Sequence, residues 1–144
     1  MNGINTNKSH KTSKETIPEL KQSPPCFTSM EGRLISYKED TELTIAFPVL
    51  GTQLNPAGSM QGGFMSAAFD NVFGPLCYMA SKTPASSMVH MNTSYHRPVF
   101  QGDELTITAR VKTKGRRIVH MEAEAYNRED KLVASAHCDY LITG

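Results

Sequence analysis

The run from Gly62 to Ala80 reads GGFMSAAFDNVFGPLCYMA and contains a single charged residue, Asp70. A helix lying on a protein surface shows a charged stripe at the 3.6-residue period, and this run has none. Apolar on nearly every side, it belongs inside a protein or inside a membrane. Asp70–Asn71 at its centre, Gly74–Pro75 behind them and weakly basic flanks argue against a span. A buried helix is expected, kinked or ended early at Gly74–Pro75 because proline breaks the helical hydrogen-bond ladder.

Strand patterns surround this helix. Before it, Glu31 to Glu39 and Glu42 to Phe47 read as two short strands joined by the turn Lys38-Glu39-Asp40-Thr41. In the second, Leu43, Ile45 and Phe47 alternate with Glu42, Thr44 and Ala46, the period of a half-buried strand. Pro48 ends it, and a loop runs through Asn55, Pro56, Ala57 and Gly58. After the helix come four candidates. In Ser87 to Tyr95, Val89, Met91, Thr93 and Tyr95 share one face, and Met88, His90, Asn92 and Ser94 the other. Leu105 to Lys112, Val119 to Tyr126 and Leu132 to Tyr140 alternate in the same way. Lys114–Gly115 and Glu129–Asp130 mark the turns of an antiparallel meander. Two strands, one helix too apolar for water and four more strands predict an α+β fold, a curved antiparallel sheet wrapped around the helix. Ala109, Ala123, Ala125, Ala134 and Ala136 would let that sheet come close.

The 144 residues suit one domain, and 39% hydrophobic residues is ordinary for a soluble protein. A net charge of +1 gives no reason to expect nucleic acid or an anionic membrane as partner. Cys26, Cys77 and Cys138 have no metal-ligand spacing; an odd count without a signal peptide points to a reducing, cytoplasmic setting. Residues 1–25, rich in Asn, Lys, Ser and Thr at the start, read as a flexible lead-in to a domain over 26–144.

Two features carry chemistry. Gly62 and Gly63 open a helix that propensity alone would start otherwise. They let a ligand approach the free first-turn amides, which favour negative charge, or they let the loop pack tightly against the sheet. Asp70 in a buried helix needs a partner or a wet cavity. It is either a hydrogen-bonded structural carboxylate or a nucleophile or general base facing a pocket. Gly62 and Asp70 lie roughly 12 Å apart along a helix rising 1.5 Å per residue. An oxyanion donor and a base must each stand about 3 Å from one reacting group. One chain cannot supply both, so if both act, the site requires two copies.

Taken together, Asn55…Gln61-Gly62-Gly63…Asp70, Met91-Asn92…Pro98 and Gly102-Asp103…Leu105 resemble the PaaI-type branch of the hot-dog-fold thioesterases. The turn Lys114-Gly115-Arg116-Arg117 and the closing Lys131-Leu132-Val133-Ala134 extend the likeness, which spans about Gly32 to Leu141. The resemblance implies hydrolysis of an acyl-CoA thioester by a homodimer or a dimer-of-dimers (a homotetramer), with no cofactor beyond the CoA of the substrate. It implies that Asp70 attacks or activates water and that the Gly62 amide polarises the thioester carbonyl. Asn55 would help place carbonyl or water, facing the Asp70 of the other chain. Gln61 stands where many members have histidine; it can hydrogen-bond but carries no proton at neutral pH. Met88 stands where members often have a hydroxyl, with Ser86 and Ser87 nearby.

Arg97, Lys114, Arg116 and Arg117 are the candidate patch for CoA phosphates, or simply solvated charges around a hairpin tip. Gly63 and Met88 are further candidates for substrate contact. The depth of an acyl pocket depends on which of Phe64, Phe69, Phe73, Met88 and Tyr95 turn inward. His90, His96, His120 and His137 share no ligand spacing and read as strand-surface residues, with no metal site expected. Two other activities fit the same scaffold: a non-catalytic acyl-CoA-binding module, and a hydratase. The hydratase needs an Asp/His pair, and no histidine follows Asp70 on the helix.

Overall fold

The computed structural model describes residues 23–144, so all but the last three residues of the expected lead-in lie outside the described residues. A short helix, α1 (Pro25–Thr28), leads into strands β1 (Arg33–Lys38) and β2 (Glu42–Pro48). A 3-10 turn at Gly51–Gln53 precedes the long helix α2 (Gly62–Ser81). Strands β3 (Ser86–Tyr95), β4 (Glu104–Lys114), β5 (Ile118–Tyr126) and β6 (Leu132–Ile142) complete the chain. All six strands form one antiparallel sheet in the order β1-β2-β4-β5-β6-β3. This is the hot-dog arrangement expected from the sequence.

The sheet register explains how α2 fits. Leu43, Ala109, Ala123 and Ala136 are successive cross-strand partners, and so are Ile45, Ile107, Ala125 and Ala134. All eight are buried. The row of alanines thins the sheet where the bulky helix side chains Phe69, Val72, Phe73 and Leu76 press in, all with 0% exposure. On the other side of the core, Phe27 of α1 meets Phe47 edge to face with ring centroids 6.0 Å apart. Gly32 is needed beneath them, because a Cβ there would come within 2.7 Å of the Phe27 ring.

Two local expectations need correction. Of a kink or an early end at Gly74–Pro75, the early end is excluded: the helix runs on to Ser81 and closes with Lys82 in the left-handed conformation, its N–H on the Tyr78 carbonyl. A mid-helix proline costs about 3 kcal/mol. Burial of Val72, Phe73 and Leu76, at about 1.5–3 kcal/mol per side chain, outweighs that cost. The second correction concerns β3, whose register against β6 shifts between Met88 and His90. That bulge turns Val89 out, 58% exposed, and leaves both Met88 and Met91 packed against the core. Strict alternation had put those two methionines on opposite faces. Among the described residues, no helix is long and apolar enough to cross a membrane.

Candidate active site

Asp70 lies on the side of α2 that the protein's own sheet does not close over, and in the single chain it is exposed. The sequence led us to expect it buried. The reason for the difference is geometric: the sheet seals the Phe69–Val72–Phe73–Leu76 face, and Asp70 stands off that face. Tyr140 on β6 donates a hydrogen bond to Asp70 Oδ1 at 3.3 Å. Oδ2 has no partner among the described residues. Partial burial pushes the Asp70 carboxyl above the usual carboxylate range, and the Tyr140 hydrogen bond pulls the other way without cancelling it. Burial and the neighbouring Asp70 charge push the Tyr140 hydroxyl up, so it stays a proton donor across the physiological range.

The start of α2 is pinned from two sides. The Gln61 N–H donates to the Gln53 carbonyl at 2.8 Å, and the Met60 N–H to the Val99 carbonyl at 2.9 Å. Gln61 occupies the N-cap without a side-chain cap bond. The Phe64 and Met65 amides return to the Gln61 carbonyl. The Gly62 and Gly63 amides have no partner among the described residues, as expected for a helix's first donors. The two glycines have different reasons to be glycine. A Cβ on Gly62 would stand 3.0 Å from the Tyr95 ring, and Tyr95 Oη donates to the Gly62 carbonyl at 2.9 Å while sharing a 2.8 Å bond with Ser66 Oγ. A Cβ on Gly63 would meet nothing closer than Gln61 Oε1 at 3.8 Å. Tight packing accounts for Gly62, and openness describes Gly63.

Asn55 organises the loop ahead of the helix. Its Oδ1 accepts the Ala57 N–H at 2.9 Å and the Ser59 N–H at 3.1 Å, and its Nδ2 donates to Ser59 Oγ at 3.1 Å. These are the bonds of an Asx-type turn, which give Asn55 a structural task besides any chemical one.

The four basic residues do not gather within one chain. Lys114 Nζ donates to the Ala80 carbonyl at 3.0 Å, so it sits at the C-terminal end of α2, with Arg116 and Arg117 beside it in the β4–β5 hairpin. Arg97 follows Tyr95, which touches Gly62 at the other end of α2. A 20-residue helix separates these ends by about 30 Å. Among the pocket candidates, Phe69 and Phe73 are buried, Phe64 and Met88 pack half-buried against the core, and Tyr95 is 51% exposed over Gly62.

Sequence reasoning missed Tyr140 and left the choice between Ser86 and Ser87 open. Tyr140 as partner of Asp70 depends on β6 lying beside α2, which no local pattern reveals. Ser86 is half-buried, with the Cys77 thiol 3.8 Å from its Oγ, whereas Ser87 is exposed. Cys77 is two helical turns beyond Asp70, so the inward hydroxyl on this edge belongs to Ser86, about 10 Å along the helix from the carboxylate. His90, His120 and His137 lie exposed on the outer face of the sheet, where His120 hydrogen-bonds Asp139 and His90 stands 4.0 Å from it, and His96 is exposed just past β3. Among the described residues, no group of three or more His, Cys, Asp or Glu side chains is placed to hold a metal ion.

With fold and site in place, comparison with known proteins gives the class. The family model of the Thioesterase superfamily matches residues 57–134, more than half of the chain, and the chain belongs to that superfamily. The matched span holds α2, Asp70 and both glycines. Among solved structures, the PaaI protein of the E. coli phenylacetic acid degradation operon is 23% identical, covering 91% of this chain and 94% of that one, with a TM-score of 0.83. A Streptococcus mutans protein bound to acetyl-CoA is 21% identical over 77% of this chain and 87% of that one, with a TM-score of 0.69. A hypothetical thioesterase of Streptococcus pneumoniae is 19% identical over 78% of this chain and 91% of that one, with a TM-score of 0.73. It was solved with an aspartate replaced by alanine and also with a threonine sixteen positions further on replaced by alanine. At these identities the likeness establishes the shared fold. No curated protein sequence matches the chain.

Proposed function

We propose that this protein is an acyl-CoA thioesterase whose site is completed by a second copy of the chain. The observation that carries the reading is Asp70: a carboxylate on the open side of the central helix, one oxygen held by Tyr140 and the other unpartnered, in a chain of the Thioesterase superfamily. Asp70 Oδ2 takes a proton from water, or attacks the thioester carbon directly. The Gly62 amide of the other copy stabilises the carbonyl oxygen as it gains charge. The C–S bond breaks, the acyl carbon gains hydroxyl from water, and the thiolate of CoA leaves and is protonated. Asn55 and Gln61 flank the donor as hydrogen-bonding groups, and neither has to carry a proton.

Two further observations support a two-copy site. The outer edge of β3 has no strand beside it among the described residues, although β3 is ten residues long. A long bare edge is a ready template for pairing, and a two-fold pair of such edges is self-complementary. The second is the distribution of charge. Within one chain Arg97 lies near the Gly62 end of α2 and Lys114, Arg116 and Arg117 lie by its other end, so one chain alone does not gather a phosphate-binding patch.

The test is a thiol-release screen of acyl-CoAs varied in length and aromaticity, run on the wild-type protein and on Asp70→Asn. Turnover of at least one ester is expected, with kcat lower by about 10²–10⁴-fold in the variant, the usual contribution of a general base. Calorimetric binding of a CoA ester with no thiol released by the wild-type protein would replace the enzyme with the non-catalytic acyl-CoA binder.

A further inference from the structure

A carboxylate on an exposed helix face is free to rotate, and catalysis requires one oxygen in one place. The structure supplies a restraint from another element. Tyr140 is only 6% exposed, its place in β6 fixed by cross-strand partners Val119 on β5 and Met88 on β3. Its hydroxyl passes over Gly74, one turn beyond Asp70, where the missing Cβ would lie 3.6 Å from Oη. A longer side chain at Gly74 would block the path to the carboxylate. Tyrosine there is expensive unless its hydroxyl finds a partner, and Asp70 Oδ1 is the partner it has among the described residues.

We propose that Tyr140 is the positioning residue of the site: it binds Asp70 Oδ1 from the sheet and thereby presents Oδ2 to the reacting water or thioester. The inference rests on the thioesterase reading above and adds to it the group that orients the carboxylate. Because the bond is made to the charged form, it also holds down the pKa that burial raises. Cys138 on β6 also senses the Asp70 charge, and Cys77 on the same helix lies by Tyr140. From β3, Met88 pairs with Tyr140 and Ser86 meets Cys77, and neither ionises in the working range.

The test is Tyr140→Phe in the intact full-length protein, with two readouts. The first follows kcat, KM and the pH profile of kcat/KM on whichever acyl-CoA the wild-type protein turns over fastest. Expected are a kcat about tenfold lower, a KM within about twofold and an acid limb displaced to higher pH, since the variant loses a bond to the ionised carboxylate. The second is the carboxyl-carbon NMR titration of Asp70, which needs no turnover. Its midpoint should rise in Tyr140→Phe. It should fall when a fluorinated tyrosine, a stronger donor, replaces Tyr140 in an otherwise unchanged fold. A midpoint unmoved in both variants overturns the role of Tyr140. A wild-type protein inert toward every ester, with the midpoint still moving, would instead count against the thioesterase reading and leave the Tyr140–Asp70 coupling standing.

Discussion

The two sides of α2 solve opposite problems. Toward the sheet, Phe69, Val72, Phe73 and Leu76 are sealed completely, with Phe69 and Phe73 stacked at 6.3 Å. On the other side, Gly63 and Asp70 are exposed and Ala67 and Gly74 only half-covered. An ordinary surface helix fills its outer side with charge; this one offers small residues and a single carboxylate. The difference teaches that the inner side builds the fold, whereas the outer side is left for the second copy and the substrate of the proposed thioesterase.

That contrast can be broken experimentally. Phe73→Ala removes a fully buried ring and should cost about 3–5 kcal/mol in chemical denaturation, the largest loss expected anywhere on the helix. A loss below about 1 kcal/mol would mean that the inner side is not the structural one. The two glycines come next. Gly62→Ala forces a Cβ to 3.0 Å from the Tyr95 ring and should destabilise by about 1–3 kcal/mol. Gly63→Ala, with open space around its Cβ, should be neutral or stabilising by up to about 1 kcal/mol. Equal effects at both positions would erase the distinction drawn between them.

The smallest effect is electrostatic. The Asp70 pKa is raised by folding, so the ionised carboxylate is disfavoured in the native state. Stability from the neutral form is full below the ordinary carboxylate range and is lost as pH rises through the elevated native value. Asp70→Asn should therefore melt slightly above the wild-type protein at neutral pH, with the gap closing below about pH 4, where Asp70 is neutral in both states. A variant that melts lower at neutral pH would reverse the sign of the shift.

Much of this was legible in the sequence because it depends on local periodicity. The uncharged helix, the six strands and the turns at Gly115 and Glu129–Asp130 follow from residue patterns alone, and the row of alanines beneath α2 follows from the same alternation. What escaped depends on register and on neighbours distant in the chain. A single extra residue at the β3 bulge reverses which residues face inward, and the sequence Ser-Ser-Met-Val-His carries no glycine or proline to announce it. Pro75 was read by its local cost, while the burial on either side of it decides. Asp70 was expected to be buried because its helix neighbours are apolar, yet only some sides of a helix meet the sheet. The grouping of Arg97 with Lys114, Arg116 and Arg117 is split within one chain, because Arg97 follows β3 near the Gly62 end of α2 and the others sit at the β4–β5 hairpin by its other end.

A site shared between two chains can be tested by complementation. Asp70→Asn removes the carboxylate. Gly62→Pro removes the amide donor, and Gln61, already extended at φ −64° and ψ 139°, is compatible with a following proline. Each variant alone should be inactive. After the two are unfolded together and refolded, random pairing makes about half the dimers mixed, each with one intact site, so activity should recover to about a quarter of wild type. No recovery, or full activity in Gly62→Pro alone, would contradict a carboxylate and an amide supplied by different chains.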